Sequence, residues 1–324
     1  MTRIAIVDDY QNIALTLADW KSIPDAEFTV FDKPFASEDE IVAKLKDFPV
    51  ISTMRERMEW PESLFARLPN LKLLCITGLH QRLLDQKAAT KHGVIVSHTT
   101  AGASVPATVE LALALILAGA RNVTREDRDM RSGGWQSGLG MTLHGRRLGV
   151  VGLGRIGARV AALGKALGME LVAWSQNMTA EAAAAAGATL VDKETLFRTS
   201  DVVSLHLVLG ERSKHVVSQR EFDQMQKHAV LVNTSRGPLI DEAAMIEALR
   251  ARKIACVALD VYDIEPLPKD HPLRSLDNVV LSPHQAFVTQ DVYTVWYGDT
   301  VENIRAWLAG NPIRILNADI AARA

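Results

Sequence analysis

A glycine-rich segment at residues 148–157 constrains the fold of this chain more than any other feature. Small and apolar residues lead into a G-x-G-x-x-G pattern, and helix-forming residues follow it up to Leu167. The order strand, tight turn, helix is typical of dinucleotide-binding units, in which the start of the helix faces the pyrophosphate. We therefore predict cofactor binding by the residues of this turn: Gly152, Gly154, Arg155, Ile156 and Gly157. The alternative is a glycine turn that binds nothing.

Length, composition and charge limit the class of protein. With 324 residues, 48% of them hydrophobic, the chain can build two domains with substantial cores. The net charge of −2 gives no basic surface for nucleic acid. The longest apolar run, residues 109–120, is interrupted by Glu110 and is too short for a bilayer, and the first nine residues resemble a strand rather than a signal peptide.

The chain has two cysteines, Cys75 and Cys256, each in an apolar, strand-like context. This pattern favours buried free thiols over a disulfide or a metal site, and it is typical of a reducing compartment. We therefore expect a cytoplasmic protein without a bound metal, a nucleic-acid partner or a membrane partner.

Short apolar runs alternate with helical patterns along the whole chain, which predicts parallel sheets wrapped by helices. Five strands are expected before residue 100. The second series suits a doubly wound dinucleotide domain, with strands at 148–151, 171–174, 202–205, 230–233, 256–261 and 279–281. Between the two series, residues 104–123 form a long apolar helix, which we expect to be buried between domains or between subunits of a homodimer.

Three polar segments follow predicted strands of the second series, where a doubly wound fold forms its ligand crevice. Arg236 lies in Asn-Thr-Ser-Arg-Gly, and its guanidinium can bind a carboxylate through two hydrogen bonds. Glu265 follows a buried strand and can orient a histidine. His284 lies in Ser-Pro-His and suits proton transfer near neutral pH. Taken alone, Arg236 fits a surface arginine in a turn, Glu265 a solvated loop acid and His284 a structural histidine.

The order of these motifs resembles the D-isomer-specific 2-hydroxyacid dehydrogenase family over nearly the whole chain. That resemblance implies two Rossmann-like domains, a discontinuous substrate domain at 1–100 and 287–324 and a cofactor domain at 101–286. It implies hydride transfer between NAD(P)(H) and a small 2-keto or D-2-hydroxy acid. The implied catalytic residues are Arg236 for the carboxylate and keto oxygen, His284 for the proton, and Glu265 as the partner of His284.

Further roles come from the same resemblance. Asp260 matches a position near the nicotinamide carboxamide, and Thr234 matches another cofactor contact. The substrate carboxylate is expected at the backbone N–H groups of Thr77-Gly78-Leu79. Arg55 stands where some family members have a second anion-binding arginine.

The chain departs from the family pattern at the end of the second cofactor-domain strand. Ser175 takes the place of the acid that would bind the adenosine ribose, and no arginine follows it. The sequence therefore does not decide whether the cofactor is NAD or NADP. His80 and Gln285 also differ from the usual residues beside the pocket, which leaves the identity of the substrate open.

Two classes of function are compatible with these motifs. The first is an NAD(P)-dependent enzyme acting on a small-molecule substrate. The second is a dinucleotide-sensing binding protein, similar to corepressors that keep the fold and the three catalytic residues. Such sensors usually carry long tails for partner recognition. We expect neither tail in this chain and therefore favour the enzyme.

Overall fold

The computed structural model describes residues 1–79 and 81–317. The chain divides into two units, one formed by Met1–Ala103 with the residues from Val288 on, the other by Ser104–Phe287. Helices and strands are numbered along the whole chain.

The first unit contains a five-stranded parallel sheet with the order β2-β1-β3-β4-β5. Its strands are β1 (Thr2–Val7), β2 (Ala26–Phe31), β3 (Val50–Thr53), β4 (Leu73–Ile76) and β5 (Ile95–His98). Its helices are α1 (Glu38–Leu45), α2 (Glu62–Ala66), α3 (Gln86–Lys91) and α11 (Gln290–Leu308). The side chain of Thr289 caps the N-terminus of α11 by accepting a hydrogen bond from the N–H of Val292.

The second unit contains a seven-stranded parallel sheet with the order β12-β11-β10-β9-β6-β7-β8. Its strands are β6 (Arg147–Val151), β7 (Glu170–Trp174), β8 (Thr189–Leu190), β9 (Val202–Leu205), β10 (Val230–Asn233), β11 (Cys256–Leu259) and β12 (Val279–Leu281). Its helices are α4 (Ser104–Ala120), α5 (Val123–Arg131), α6 (Gly157–Ala166), α7 (Ala180–Ala185), α8 (Lys193–Thr199), α9 (Gln219–Gln224) and α10 (Glu242–Arg250).

Residues of the second sheet bury their side chains alternately in two apolar clusters. Val203 and Leu231 belong to one cluster, and their neighbours Val202 and Val230 belong to the other. Because successive residues of a strand point to opposite faces, the sheet is covered on both sides. This confirms the predicted α/β class with two Rossmann-like sheets.

The order of the second sheet reverses between β6 and β9, which are neighbours although β7 and β8 lie between them in the chain. In open α/β sheets, ligands bind outside the carboxyl ends of the strands at such a reversal. The glycine turn follows β6, so the fold places it at this point.

The structure corrects the predicted end of the apolar helix. It ends at Ala120 rather than near Val123, because Asn122 takes a left-handed conformation (φ +53°), and a second, polar helix α5 follows. Its residues Val109, Ala112 and Ile116 pack within the second unit, in the cluster that also contains Val230 and Cys256 of the sheet. This face of α4 therefore covers the sheet, and burial of the helix between domains or between subunits stays a prediction.

Within the described residues, no single helix is both long and apolar enough to cross a membrane. Only α4 and α5 taken together reach that length and composition, and they meet at an angle of 64°. Cys75 and Cys256 are free and buried, and burial raises the pKa of each thiol to about 12.

Candidate active site

The glycine turn has the backbone geometry that a dinucleotide requires. Gly152 has a φ of +96°, a conformation that favours glycine. A Cβ on Gly157 would lie 1.9 Å from the carbonyl oxygen of Gly152, so the start of α6 packs directly on the turn. A Cβ on Gly154 would meet no heavy atom within 4 Å. The turn therefore presents bare backbone toward an open groove, where a pyrophosphate can approach the helix N-terminus.

That groove has a volume of about 860 Å³. It is bounded by the glycine turn, by the residues that follow β7 and by the residues that follow β9: Gly152, Leu153, Gly154, Ser175, Gln176, Asn177, Met178, Ala182, His206, Leu207, Val208, Leu209, Gly210, Glu211, Arg212 and Ser213. Of the predicted cofactor residues, Ser175 lines this groove with Gly152 and Gly154. Arg155 is exposed beside the turn, and Ile156 precedes the first residue of α6. The groove fits a dinucleotide in size and chemistry.

Glu265 and His284 are in direct side-chain contact at the end of the sheet. Nδ1 of His284 contacts Oε2 of Glu265, while Oε1 of Glu265 accepts from the backbone N–H of Tyr262 at 2.9 Å. Both oxygens of the carboxylate thus have a partner, which orients the imidazole with Nδ1 toward Glu265. His284 is 8% exposed.

The backbone of His284 is strained. Its φ of +49° lies in the left-handed region, which costs a non-glycine residue roughly 1–2 kcal/mol. The Phe287 ring packs edge-on against the imidazole, with the two centroids 5.6 Å apart. Such strain persists only where the surrounding structure over-determines it, and it is frequent at catalytic residues.

Asp260 supplies much of that surrounding structure. Its buried carboxylate accepts at Oδ1 from the Ser282 hydroxyl (2.5 Å) and the Gln285 N–H (2.8 Å), and at Oδ2 from the Ala286 N–H (3.0 Å). Burial raises the pKa of Asp260 above its usual range. The end of β11 is thereby tied to the segment that carries His284. Whether Asp260 also contacts a cofactor stays a prediction.

The Asn-Thr-Ser-Arg-Gly segment forms a tight turn after β10. Buried Asn233 donates from Nδ2 to the Arg236 carbonyl (2.8 Å) and accepts at Oδ1 from the Ser235 N–H (3.0 Å). A Cβ on Gly237 would lie 2.1 Å from the backbone carbon of Tyr262, so this position requires glycine. The turn that carries Arg236 therefore lies against the loop that carries Glu265. Thr234 is buried in the same turn.

The predicted substrate residues of the first unit lie at the carboxyl ends of β3 and β4. The Arg55 N–H donates to Oγ1 of Thr77 at 3.0 Å, and a Cβ on Gly78 would lie 2.7 Å from Nη1 of Arg55. The guanidinium therefore packs directly over Gly78, and these two residues belong to one local surface with Leu79.

Two of the three backbone N–H groups expected to bind a carboxylate already have acceptors. Thr77 donates to the Thr53 carbonyl (3.2 Å), and Gly78 donates to Oγ1 of Thr99 (2.7 Å). Leu79 is therefore the one of the three whose N–H is suited to a ligand, as judged from the described residues. His80 lies outside those residues.

Sequence reasoning missed three residues that position this chemistry. Thr99 holds Gly78, Tyr262 holds Glu265, and Ser282 holds Asp260. Each of them is at a strand end or just beyond one, which was the available signal. The hydrogen-bond partner of each residue could not be predicted from the sequence, because it depends on which strands are neighbours in the sheet.

A sequence model of the D-isomer specific 2-hydroxyacid dehydrogenase family, describing its NAD binding domain, matches residues 113–286. The match covers more than half of the chain and includes the glycine turn, Arg236, Glu265 and His284. This chain belongs to that family. As a member of it, the chain is an oxidoreductase with a binding domain for NAD(H) or NADP(H).

Curated relatives and a solved structure agree with this assignment. The glyoxylate reductase of Aeropyrum pernix is 38% identical over 267 residues, which are 79% of this chain and 79% of that protein. The D-3-phosphoglycerate dehydrogenase of Archaeoglobus fulgidus is 34% identical over 280 residues, 86% of this chain but 53% of that longer protein. A solved oxidoreductase from Ralstonia solanacearum has a TM-score of 0.92 at 32% identity, covering 99% of this chain and 98% of that one.

Proposed function

We propose that this family member is an NAD(P)-dependent D-2-hydroxyacid dehydrogenase that reduces a small 2-keto acid or oxidises the corresponding D-2-hydroxy acid. The observation that carries the proposal is the pair of Glu265 and His284 at the carboxyl edge of the same sheet that carries the glycine turn. A nicotinamide cofactor, when bound, supplies the hydride.

His284 is the proton donor for reduction and the acceptor for oxidation, acting through Nε2. Glu265 orients the ring by direct contact. Arg236 binds the substrate carboxylate and keto oxygen with its planar fork of donors. Reduction places negative charge on the keto oxygen, so a cation and a proton donor beside it stabilise the transition state more than the ground state.

The remaining predicted residues complete this assignment. We assign cofactor contacts to the glycine turn with Arg155 and Ile156, to Ser175, to Thr234 and to Asp260. We assign substrate contacts in the first unit to Arg55 and to the Thr77-Gly78-Leu79 segment, with Leu79 as the backbone donor. The unit of Ser104–Phe287 then serves the cofactor, and the other unit serves the substrate.

We also propose a homodimer formed around α5 and the following loop. Ser137 in that loop donates to Oε1 of Glu126 (2.9 Å), and Asn122 donates to the Leu139 carbonyl (3.0 Å), so the loop lies along the helix. Trp135 is 74% exposed there and Leu139 is 98% exposed. Large apolar side chains exposed together are typical of an interface.

Buried free thiols fit a cytoplasmic location.

The activity test combines the purified chain with NADH or NADPH and a panel of glyoxylate, hydroxypyruvate, pyruvate and 3-phosphohydroxypyruvate. We expect oxidation of the reduced nicotinamide, followed by its absorbance, with at least one 2-keto acid. The variant His284→Gln is expected to lose roughly 10²–10⁴-fold in kcat, because it removes the proton donor. Cofactor binding without turnover of any member of the panel would overturn the proposal.

A further inference from the structure

The far end of the cofactor groove is formed by two segments that hydrogen-bond to each other. Ser175, Gln176 and Asn177 follow β7, and residues 207–213 follow β9. Nε2 of Gln176 donates to the backbone carbonyl of Arg212 at 2.8 Å. This bond holds Arg212 beside the segment that begins at Ser175.

The 207–213 segment is held by its own hydrogen bonds. The Ser213 hydroxyl donates to the Val208 carbonyl (2.7 Å) and accepts from the Gly210 N–H (2.9 Å). The position of Arg212 therefore depends on a closed turn and on the bond from Gln176. Its backbone is fixed in this way, while its side chain is exposed and lines the groove.

The residue at the end of the second strand of such a domain distinguishes the two nicotinamide cofactors. A carboxylate there binds the 2′-hydroxyl of the adenosine ribose and repels a 2′-phosphate, whereas an arginine nearby accommodates the phosphate. Here Ser175-Gln176-Asn177 carries no carboxylate, and its side chains offer a hydroxyl and amide donors. No arginine follows Ser175 directly, but Arg212 of the neighbouring loop lines the same groove.

We propose that this groove selects the 2′-phosphorylated dinucleotide, NADP(H), and that Arg212 is the specificity-determining cation, assisted by Ser175 and Asn177. Glu211 also lines the groove and is exposed. Gln176 binds the backbone carbonyl of Arg212, so residue 212 is the one held next to the β7 end. The use of NADP(H) in catalysis rests on the proposed dehydrogenase function, whereas the binding preference of the groove does not.

The test measures binding of nicotinamide-free fragments to the intact chain by titration calorimetry. The probes are 2′,5′-ADP and 5′-ADP, which differ only in the 2′-phosphate. We expect 2′,5′-ADP to bind about tenfold more tightly or better, the gain of one charge-assisted contact. Equal affinity for the two probes, or tighter binding of 5′-ADP, would overturn the inference.

Two variants and a matched control assign the effect to residues. Arg212→Gln should lose about tenfold in affinity for 2′,5′-ADP while its affinity for 5′-ADP changes by less than about twofold. Ser175→Asp should reverse the preference, because its carboxylate repels the phosphate and binds the ribose hydroxyl. Lys214→Gln removes an exposed cation two residues from Arg212 that does not line the groove, and it should change neither affinity.

A phosphate preference that survives intact in Arg212→Gln would also overturn the assignment. Failure of this inference is distinguishable from failure of the proposed function. Turnover with NADH and no gain from the 2′-phosphate would refute only the inference. Selective binding of 2′,5′-ADP with no turnover of any 2-keto acid would refute only the proposed function.

Discussion

Oε2 of Glu265 contacts Nδ1 of His284, nineteen residues further along the chain. The second oxygen of the same carboxylate accepts from the Tyr262 N–H. A carboxylate held at both oxygens cannot rotate freely, so it fixes the tautomer and the direction of the imidazole.

The first prediction concerns this pair. Glu265→Gln keeps the size of the side chain and removes its charge. We expect kcat for keto-acid reduction to fall about 10²-fold while KM changes much less, because the contact acts on proton transfer rather than on substrate binding. Steady-state kinetics with the best substrate of the panel measures both constants.

A second carboxylate–histidine pair in the same unit provides the control. Oε1 of Glu242 lies 3.1 Å from Nε2 of His271, and neither residue is assigned to the site. Glu242→Gln should leave kcat within about twofold of wild type, as expected for a partly exposed pair. Equal losses in the two variants would contradict the special role of Glu265.

The second prediction concerns Thr99, which is fully buried and accepts from the Gly78 N–H at 2.7 Å. Thr99→Val keeps the shape and leaves that N–H without its acceptor, which costs about 1–3 kcal/mol of unfolding free energy. Because Gly78 precedes the proposed substrate donor Leu79, KM for the 2-keto acid should rise several-fold with a smaller change in kcat. Denaturant unfolding and steady-state kinetics test the two effects.

Thr300→Val is the matched control for Thr99→Val. Thr300 is equally buried in the same unit, and its hydroxyl donates to the Trp296 carbonyl within α11. Its replacement removes a donor from a helix rather than an acceptor from a ligand loop, so KM should not change. A rise in KM in both variants would show that Thr99 acts through stability alone.

The third prediction concerns the pH dependence of stability. Burial lowers the pKa of His206 from 6.5 to about 4, and its Nδ1 has no hydrogen-bond partner among the described residues. Between pH 6.5 and pH 4 the unfolded chain binds a proton at this residue that the folded chain does not. Because this proton stabilises the unfolded chain, the free energy of unfolding falls as the pH falls through this window, by up to about 3 kcal/mol.

His206→Gln should remove this loss, so its unfolding free energy relative to wild type should increase from pH 7 to pH 4. The difference between the two proteins must be used, because burial raises the pKa of Asp8 to about 6 and has the opposite effect in the same window. His215→Asn, at an exposed histidine, is the control. A difference that does not vary with pH would contradict the prediction.

The fourth prediction concerns the proposed homodimer. The double variant Trp135→Ser, Leu139→Ser removes two exposed apolar side chains from the loop along α5. We expect it to sediment as a monomer at concentrations where the wild type is a dimer. Leu15→Ser, at a position 45% exposed in the other unit, should sediment as the wild type does. A dimer that persists in the double variant would place the interface elsewhere.

Local sequence patterns predicted the fold class and the elements of the second sheet. All six strands expected there are present, because buried parallel strands are continuous apolar runs with turns between them. Strand β8 was missed because it has only two residues. Helix α5 was missed because nearly all of its residues are polar and none is buried.

The sequence by itself determined the α/β architecture, the family and the residue types of the site, since glycine spacing and polar residues at strand ends are local features. Only the tertiary structure decided which atoms meet. The contacts from Glu265 to His284, from Thr99 to Gly78 and from Gln176 to Arg212 join residues on different strand ends. Such contacts depend on the order of strands in the sheet, and a periodic pattern along one strand carries no information about its neighbours.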